Sequence, residues 1–478
     1  MINRRDIITR TGPASAALLA PALLRAAPTA PAVPDWALGV ADVAGDVAPR
    51  GLTRIHGKAP AGLAGTLYRN GPARFRRAGS ASGHWFDGDG LIRAWRINGD
   101  DARLAARFVD TPKRRQEEAL GEMVMPGFGT PVRGGAVVRN NDDTNAANTN
   151  VIMAGNRLMA LWEAGSPVGL DPETLATRGI ETLRPDLAHM PFLAHPRIEP
   201  DGRIWNLGMS GKAAFVWRLS ASGVLEAGQA IKLPRASYAH DFTATSRHLV
   251  IVLQPWVQDK FTLPYLDSLS WRPELGTQVL VVDKADLSRQ RLFELPAFAF
   301  FHLGDAWEEA DGTIRFDGCF ESDPTFGAVA AKALVAGVHV ASPQPQLTMV
   351  ALHPDGKASL SASGIAAEFP RVDPQLAGLK RRRTVHVGSY DQARPFAQSV
   401  GVWDWQTGKD DAFHFGARQL VEEFVPVGRW LIGTTVNLDA KATELHVLDA
   451  RRVARGPIVS WRADVALPVG FHGNFVAA

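Results

Sequence analysis

The chain has 478 residues, of which 46% are hydrophobic and 21% charged, and its formal net charge is +3. This composition is typical of a globular protein with a large core, and the short basic runs RFRR and KRRR argue against nucleic-acid binding. The single cysteine, Cys319, excludes an intramolecular disulfide and any thiolate-rich zinc or iron–sulfur site. A bound metal would therefore need His, Asp or Glu ligands.

Residues 1–32 differ in composition from the rest of the chain. Arg4 and Arg5 precede a short Ala/Leu stretch and the run RAAPTAPAVP, a pattern typical of a signal peptide. The Arg pair fits the twin-arginine type, and the stretch is too short and too weakly apolar to span a membrane. We therefore expect export to the periplasm and a mature domain over residues 33–478. The alternative is a disordered N-terminal tail on a cytoplasmic protein.

Beyond residue 40, short apolar runs alternate with glycine-containing turns. Asn-Gly and Asp-Gly supply the positive φ of tight hairpins, and alternating apolar and polar residues flank them. Such segments are RINGDDARLAARFV, RIEPDGRIWNLG, EADGTIRFDG, ALHPDGKASLSA and WDWQTGKDDAFHF. HLVIVLQ, GTQVLVVDKADL, QLTMVALH and RWLIGTTVN favour further strands, and FGAVAAKALVAG is the best helix candidate. Many short antiparallel strands without a linker predict one all-β domain, a β-propeller, over residues 33–478.

Four of the 13 histidines share a local context that the others lack. Each follows small or apolar residues, and the first three precede a strand-and-turn unit. They are His195 in FLAHPRIEPDGRIWN, His240 in YAHDFTATSRHLVIV, His302 in AFFHLGDAWEEADGTIRF and His472 in GFHGNFVAA. The innermost strand of each propeller blade starts at the central axis, so these four rings could converge there. A lone histidine is more often a hydrogen-bonded structural residue, and the pattern by itself leaves both interpretations open.

The other histidines that we considered have no repeated setting, and we interpret them as structural. They are His84, His189, His248, His339, His353, His386, His414 and His446.

A series of motifs resembles the carotenoid cleavage oxygenases from about residue 35 to the last residue. LYRNGPARF followed by HWFDGDGLIRAW is similar to the N-terminal signature of that family. LMALWEAGSPVGLDPETL, AHPRIEPDGRIWNLG, HDFTATSRHLVIV, SWRPELGTQVLVVD, FHLGDAWEE, EFPRVDP and GFHGNFV follow in the order of the family. Several motifs in one order are stronger support than any single motif.

The resemblance implies a seven-bladed β-propeller in which loops and short helices cap a non-haem Fe(2+) on the axis. The matching ligand positions are His195, His240, His302 and His472, with no carboxylate bound directly to the metal. Four imidazoles suit ferrous iron and leave two octahedral positions open. We expect Asp241 to hold its loop through backbone hydrogen bonds and not to touch the metal.

Carboxylates are expected behind these histidines, because neutral ligands leave the charge of the dication uncompensated. The family uses glutamates here, and Glu163 in ALWEAG and Glu368 in AEFPRVD match two of the positions. The third lies in LVEEFVPVG, where we assign Glu422, although it is one residue out of register with the family. Glu423, or neither residue, is the alternative.

The segment FDGDG contains Asp87 and Asp89, two carboxylates that could suggest calcium. The spacing lacks the further ligands of a calcium loop, and the corresponding segment of the resembled family is structural. We therefore expect a structural role for both residues.

The implied reaction is cleavage of one conjugated C=C bond of a hydrophobic substrate by O2, giving two carbonyl products without an organic cofactor. No glycine-rich dinucleotide motif follows a strand, and an apolar tunnel would select the double bond. Carotenoids or apocarotenoids compete with phenolic stilbenes as substrates. Stilbene-cleaving members hold the phenol with a Tyr and a Lys. Phe108 stands where we place that Tyr, and no Lys lies near the other position, which favours an apocarotenoid.

Two other classes remain as alternatives: a metal-dependent propeller hydrolase and a propeller that binds without catalysis. The hydrolase should present Asp, Glu or Asn at the axis, and a binding module should not keep all four histidines. The expected partners are a polyene or stilbene and O2, with peripheral membrane contact at the tunnel mouth. We expect neither nucleic acid nor a protein partner.

Overall fold

The computed structural model describes residues 33–388 and 393–478, so the predicted signal peptide at residues 1–32 lies outside the described residues. Antiparallel strands dominate the described residues. Residues Asp35–Ala478 form one compact unit. In the described residues, no helix has both the length and the hydropathy needed to cross a bilayer.

The strands of the first half of the chain form short hairpins. In chain order they are β1 (Val47–Gly51), β2 (Thr53–Gly57), β3 (Ala64–Arg69), β4 (Arg76–Arg77), β5 (Ser80–Ala81), β6 (Leu91–Asn98), β7 (Asp101–Phe108), β8 (Asn150–Ala154), β9 (Arg157–Leu161), β10 (Val168–Leu170), β11 (Thr177–Ile180), β12 (Arg197–Ile198), β13 (Ile204–Ser210), β14 (Ala213–Leu219) and β15 (Leu225–Lys232).

The second half continues in the same way with longer strands. They are β16 (Thr243–Ala244), β17 (His248–Leu253), β18 (Trp256–Gln258), β19 (Leu269–Trp271), β20 (Thr277–Asp283), β21 (Gln290–Leu295), β22 (Ala299–Glu308), β23 (Ile314–Glu321), β24 (Gln346–Leu352), β25 (Ala358–Arg371), β26 (Arg383–Gly388), β27 (Ser399–Asp404), β28 (Lys409–His414), β29 (Gln419–Val427), β30 (Trp430–Asn437), β31 (Ala442–Asp449), β32 (Val459–Arg462) and β33 (Gly473–Ala477).

The main sheets correspond to seven propeller blades, as predicted. Blades 2, 3 and 4 are β8–β11, β12–β15, and β16–β17–β20–β21. One seven-stranded sheet, β22–β28, supplies blades 5 and 6, because the long β25 pairs with β24 along its first part and with β26 along its second. Blade 7 is β29–β32, and blade 1 contains β3, β6 and β7.

Both ends of the described chain close the ring. At the N-terminal end, β1 and β2 add to the outer edges of blades 1 and 7, where they pair with β7 and β32. At the C-terminal end, β33 pairs with β3 and becomes the innermost strand of blade 1. The two ends of the described chain thus join blades 1 and 7, because β1 and β33 extend blade 1 and β2 extends blade 7.

An apolar cluster fills each of the seven interfaces between neighbouring blades in the described residues. For example, Trp95 of blade 1 packs with Trp461 of blade 7, and Leu347 of blade 5 packs with Trp403 of blade 6. The other five interfaces have the same construction. The blades therefore pack face to face, as the alternating apolar residues of the strands predict.

The turn sequences and the helix candidate lie where the sequence predicts them. Gly99, with φ of 58°, occupies the two-residue turn between Asn98 and Asp101, a conformation that a side chain would strain.

A π-helical turn, Phe326–Ala330, continues into α2 (Ala331–Val335). The helix α1 (Pro112–Leu120) was not predicted, although Thr111 caps its start and Gly121, in the left-handed conformation, ends it. Short 3-10 helices are Asp35–Val40, Trp85–Asp87, Asn141–Thr144, Pro185–Leu187, Tyr265–Ser268, Pro273–Leu275, Pro374–Leu376 and Val453–Arg455.

Candidate metal centre

Four histidines from four different blades meet at the propeller axis, and one ring nitrogen of each lies within 4.8 Å of those of the others. Each comes from the innermost strand of its blade or from the residues just before it. His195 lies two residues before β12, His240 three before β16, His302 within β22, and His472 directly before β33. These are the four positions that the sequence singles out. None of the other histidines in the described residues belongs to this group.

The Nε2 atoms of the four rings face one another. Nε2 of His195 lies 2.9 Å from Nε2 of His240, and Nε2 of His302 lies 3.1 Å from Nε2 of His472. The rings are at least half-buried, and His472 is only 3% exposed. Water therefore has little access to the nitrogens between the rings.

Three carboxylates lie behind the rings and contact the opposite nitrogens. Nδ1 of His240 contacts Oε1 of Glu163, and Nδ1 of His302 lies 2.5 Å from Oε2 of Glu368. Both glutamates are those that the sequence predicts for this position. Among the described residues, no carboxylate lies within hydrogen-bonding distance of His195.

The third carboxylate belongs to Glu423, and the prediction of Glu422 for this position is wrong. Oε1 of Glu423 lies 3.0 Å from Nδ1 of His472. Glu422 instead forms ion pairs with Arg69 and Arg93 between the blades. A β-bulge between Val421 and Phe424 interrupts the alternation of side chains on β29, so both glutamates are buried and face different partners.

Bulges also orient two other residues of the centre. The pairing of β22 shifts between Phe300 and Leu303, on either side of His302, and the pairing of β25 shifts between Glu368 and Arg371. Within the second bulge, Phe369 adopts a φ of 54°, which is uncommon for a bulky residue. Its ring stacks on His302 with 4.7 Å between the centroids. Such local distortion is typical of functional sites.

Burial and the glutamates set the protonation of the centre. Burial, followed by the charge of nearby His472, holds the pKa of His195 well below its usual value. Burial likewise lowers the pKa of His472 to about 3, although Glu423 acts in the opposite direction. At His302, burial opposes protonation, but the charge and hydrogen bond of Glu368 outweigh it and raise the pKa. Arg371 and His472 lower the pKa of Glu423 to about 2 in spite of its burial.

The donor set fits a divalent cation. A neutral imidazole that donates Nδ1–H to a glutamate has only a lone pair on Nε2. Three of the four rings are held in this way, so in its neutral form each of them presents the Nε2 lone pair to the space between the rings. The repulsion between these lone pairs, together with the carboxylates of Glu163, Glu368 and Glu423 behind the rings, favours a cation between the rings.

Asp241 holds the loops of two histidines together, as predicted. Its Oδ1 accepts a hydrogen bond of 2.7 Å from the N–H of Phe242, and Oδ2 accepts one of 2.9 Å from the N–H of Leu303. Nη2 of Arg197 donates to the same carboxylate at 2.7 Å. One carboxylate thereby ties together residues that lie within two positions of His240, His302 and His195.

Asp87 and Asp89 of the FDGDG segment have structural contacts. Asp87 accepts hydrogen bonds from the N–H groups of Phe128 and Gly129 at 2.6 and 2.9 Å, and thus holds a loop that covers the cavity. Asp89 is buried against Arg77 and Lys113. The two carboxylates thus stabilise the cap.

A cavity of about 900 Å³ opens onto the histidines. His240, His302 and His472 lie in its wall, together with Glu163 and Glu368. Aromatic side chains form much of the remainder, among them Trp85, Phe86, Phe128, Phe301, Phe326 and Phe471. Their rings contact one another, for instance Trp85 and Phe471 at 4.8 Å between centroids. The cavity therefore suits a hydrophobic ligand.

Phe108 does not line this cavity, and its interpretation as the counterpart of a phenol-binding tyrosine is wrong. Its side chain is buried in the interface between blades 1 and 7, under the guanidinium of Arg114. The cavity wall instead contains Tyr238 and Tyr265, which the sequence did not single out. The hydroxyl of Tyr238 donates to the carboxylate of Glu163 at 3.1 Å. Its position two residues before His240 was the only sequence signal for it.

The fold and the site together define a metal-dependent oxygenase of the β-propeller type. The family model described as "Retinal pigment epithelial membrane protein" matches residues 41–477. The chain belongs to this family, the carotenoid cleavage oxygenases, as the sequence motifs predict.

Curated relatives are similar over nearly the whole chain. Apocarotenoid-15,15'-oxygenase of Synechocystis is 28% identical over 461 residues, covering 88% of this chain and 92% of that protein. Isoeugenol monooxygenase of Pseudomonas putida is 26% identical, with 88% and 93% covered. Lignostilbene-alpha,beta-dioxygenase isozyme III of Sphingomonas paucimobilis is 25% identical, with 89% and 93% covered. A solved structure of cobalt-substituted Synechocystis apocarotenoid oxygenase has a TM-score of 0.83 at 25% identity, covering 93% of this chain and 98% of that one.

Proposed function

We propose that this protein is a non-haem Fe(2+) dioxygenase that cleaves one conjugated C=C bond of a hydrophobic alkene with O2. Both oxygen atoms enter the two carbonyl products, so no external reductant is needed. The observation that carries the proposal is the convergence of the Nε2 atoms of four histidines, with glutamates behind three of the rings, beside an aromatic cavity. Imidazole suits ferrous iron among other metals.

Bound Fe(2+) would supply the binding and activation of dioxygen. The protein supplies the rest. Glu163, Glu368 and Glu423 hold the Nδ1 protons of their histidines, and therefore keep Nε2 free to bind metal. The aromatic wall excludes water and holds the alkene beside the histidines.

We favour an apocarotenoid or a similar polyene as the substrate. The cavity of about 900 Å³ is large enough for an extended ligand, and no lysine lies in the described part of its wall. The relative with 28% identity is named an apocarotenoid oxygenase. These observations support a long, mainly hydrophobic substrate.

An aryl alkene is the second candidate. Two relatives at 25–26% identity are named for lignostilbene and isoeugenol. The phenol hydroxyl of Tyr265 in the cavity wall, 3.4 Å from Oε1 of Gln258, gives such a substrate a polar neighbour. This candidate differs from the first in substrate and not in chemistry.

We also propose that the protein acts in the periplasm after twin-arginine export and contacts a membrane peripherally. Arg4 and Arg5 support the first point. For the second, Phe261 lies in the cavity wall with 63% of its surface exposed. An apolar side chain at the entrance favours transfer of a hydrophobic substrate from a lipid surface.

A substrate panel with mass analysis of the products tests the function. The purified, iron-loaded protein is incubated in 18O2 with an apocarotenal, a stilbene and isoeugenol. We expect two carbonyl products from the apocarotenal, each with one labelled oxygen once exchange with water has been corrected for. Cleavage of only the aryl alkenes would select the second candidate. Failure to cleave any alkene while iron is fully bound would contradict the proposal.

A further inference from the structure

Glu321 is a buried carboxyl in the cavity wall that the metal centre does not use. It ends β23 and is only 5% exposed. Its Oε2 is buried without a hydrogen-bond partner, and no ion pair within 33–388 and 393–478 includes this residue. Burial of a carboxyl without a partner destabilises a folded protein, and such groups are rare for this reason. The contacts of the fold itself therefore give no reason for a glutamate here.

A second buried polar atom without a partner lies in the wall of the same cavity, on the chain segment that leads into the neighbouring strand. The strands β23 and β24 pair antiparallel, with Phe320 opposite Gln346. One further step in this register places Glu321 opposite Pro345, the residue after Gln344. Gln344 also lines the cavity, and its Oε1 is buried without a partner in the described residues. Two neighbouring strand ends thus present unpaired polar groups to the same cavity.

Each of the two groups can bind an oxygen atom of a ligand. Burial, followed by the charges of Glu368 and Asp323, raises the pKa of Glu321 well above its usual value. A protonated carboxyl has an O–H donor as well as acceptor oxygens, and an amide also has both. A hydroxyl or carbonyl oxygen would therefore find a donor, and a hydroxyl would also find an acceptor.

The sheet fixes the position of this pair relative to the histidines. The N–H of Ala367 on β25 donates to the carbonyl of Pro345 at 2.9 Å, and Ala367 precedes Glu368, the partner of His302. The backbones of Glu321 and Ala367 are thus two strands apart, or about 10 Å. The pair shares the cavity with the metal centre but lies away from it. It can contact a part of the substrate remote from the reacting double bond.

We propose that Glu321, together with Gln344, binds a hydroxyl or carbonyl oxygen at the end of the hydrophobic substrate and so selects oxygenated alkenes over the corresponding hydrocarbons. This inference rests on the proposed function, because it takes the ligand to be an alkene. Aromatic walls hold an apolar chain without fixing its position along the cavity. A polar anchor fixes that position and therefore decides which double bond lies beside the histidines.

The test compares Glu321→Met with Glu321→Gln. Binding is measured without oxygen, by quenching of tryptophan fluorescence, so that no turnover is needed. The ligand pairs are trans-4-hydroxystilbene with trans-stilbene, and an apocarotenal with an unsubstituted polyene of equal length. We expect the wild type to bind the oxygenated member of at least one pair about tenfold more tightly. Glu321→Met should lose this preference, whereas Glu321→Gln, which keeps a donor and an acceptor, should retain it.

Thermal unfolding separates this role from a structural one. Glu321→Met removes a buried unpaired group, so the Tm of the metal-loaded protein should rise. A glutamate that stabilises the fold would give the opposite shift. Glu321→Ala takes the place of Glu321→Met if the latter does not fold, and it is judged by the ligand preference.

Two outcomes would overturn the inference: no preference for the oxygenated ligands in the wild type, or a preference that Glu321→Met retains. Either result, in a protein that still cleaves an alkene, leaves the proposed function intact. If the wild type cleaves no alkene but Glu321→Met abolishes a clear preference, the proposed function fails and the binding role of Glu321 stands.

Discussion

Glu423 joins the metal centre to the innermost strand of the neighbouring blade: its Oε1 lies 3.0 Å from Nδ1 of His472, and its Oε2 accepts a hydrogen bond of 3.0 Å from the N–H of Gly473. Glu422, the next residue along β29, is equally buried but pairs with Arg69 and Arg93. The two adjacent glutamates therefore have separable roles.

We predict that Glu423→Gln weakens metal binding by about 10- to 100-fold, because the amide no longer accepts the Nδ1 proton of His472 with a full negative charge. Competition with a chelator, followed by metal analysis, measures the metal affinity of the variant and of the unchanged protein. The matched control is Glu422→Gln, which should lower stability by about 3–5 kcal/mol because two buried arginines lose a charged partner. Its metal affinity should stay unchanged. Equal metal affinity in the two variants would contradict the assignment.

His240→Ala should abolish iron binding and the cleavage that depends on it, because one of the four converging nitrogens is lost. Metal analysis of the purified variant measures the first effect. His446→Ala is the control, since His446 is equally buried but bonds to Ser460 and Thr435 in blade 7. This control should lose about 1–3 kcal/mol of stability and keep its iron. Full iron in His240→Ala would refute the ligand set.

The metal-free protein should lose stability as the pH falls below 6.5. His472 has a pKa of about 3 in the fold and that of His195 is also lowered, so the unfolded chain binds more protons in this range. For each such histidine, one unit of lowered pKa reduces the free energy of unfolding by about 1.4 kcal/mol once the pH is below the folded-state pKa. His302, with its raised pKa, acts in the opposite sense. Thermal unfolding of the metal-free protein between pH 8 and pH 4 measures the net effect of these histidines on Tm. A Tm that rises on acidification would show that His302 dominates.

Replacement of both Arg4 and Arg5 by Lys should block export by the twin-arginine route. The full-length precursor should then accumulate in the cytoplasm, whereas the unchanged chain gives a shorter periplasmic form. Cell fractionation shows the compartment of each variant, and a mass measurement of the N-terminus shows whether the chain has been shortened. Unchanged processing of the Lys variant would contradict the twin-arginine assignment.

Much of the architecture was predictable because strands and hairpins are encoded locally. Alternating residues and glycine turns indicated antiparallel sheets. The repeated context of four histidines left their role open, and the family motifs then indicated that they face the axis. Glu163 and Glu368 followed from the family motifs, and the structure places both behind histidine rings. The register of β29 could not be predicted in this way. A bulge adds a residue and changes which side chain faces the axis.

Composition and periodicity thus determined the kind of fold and the available ligands, since both depend on residues that are near in the chain. Only the tertiary structure decided that Glu423 contacts His472, that Phe108 lies between blades, and that Glu321 lies unpaired in the cavity. The physical reason is that these outcomes depend on contacts between strands that are distant in sequence. Such contacts depend on bulges and blade packing, which no local pattern specifies.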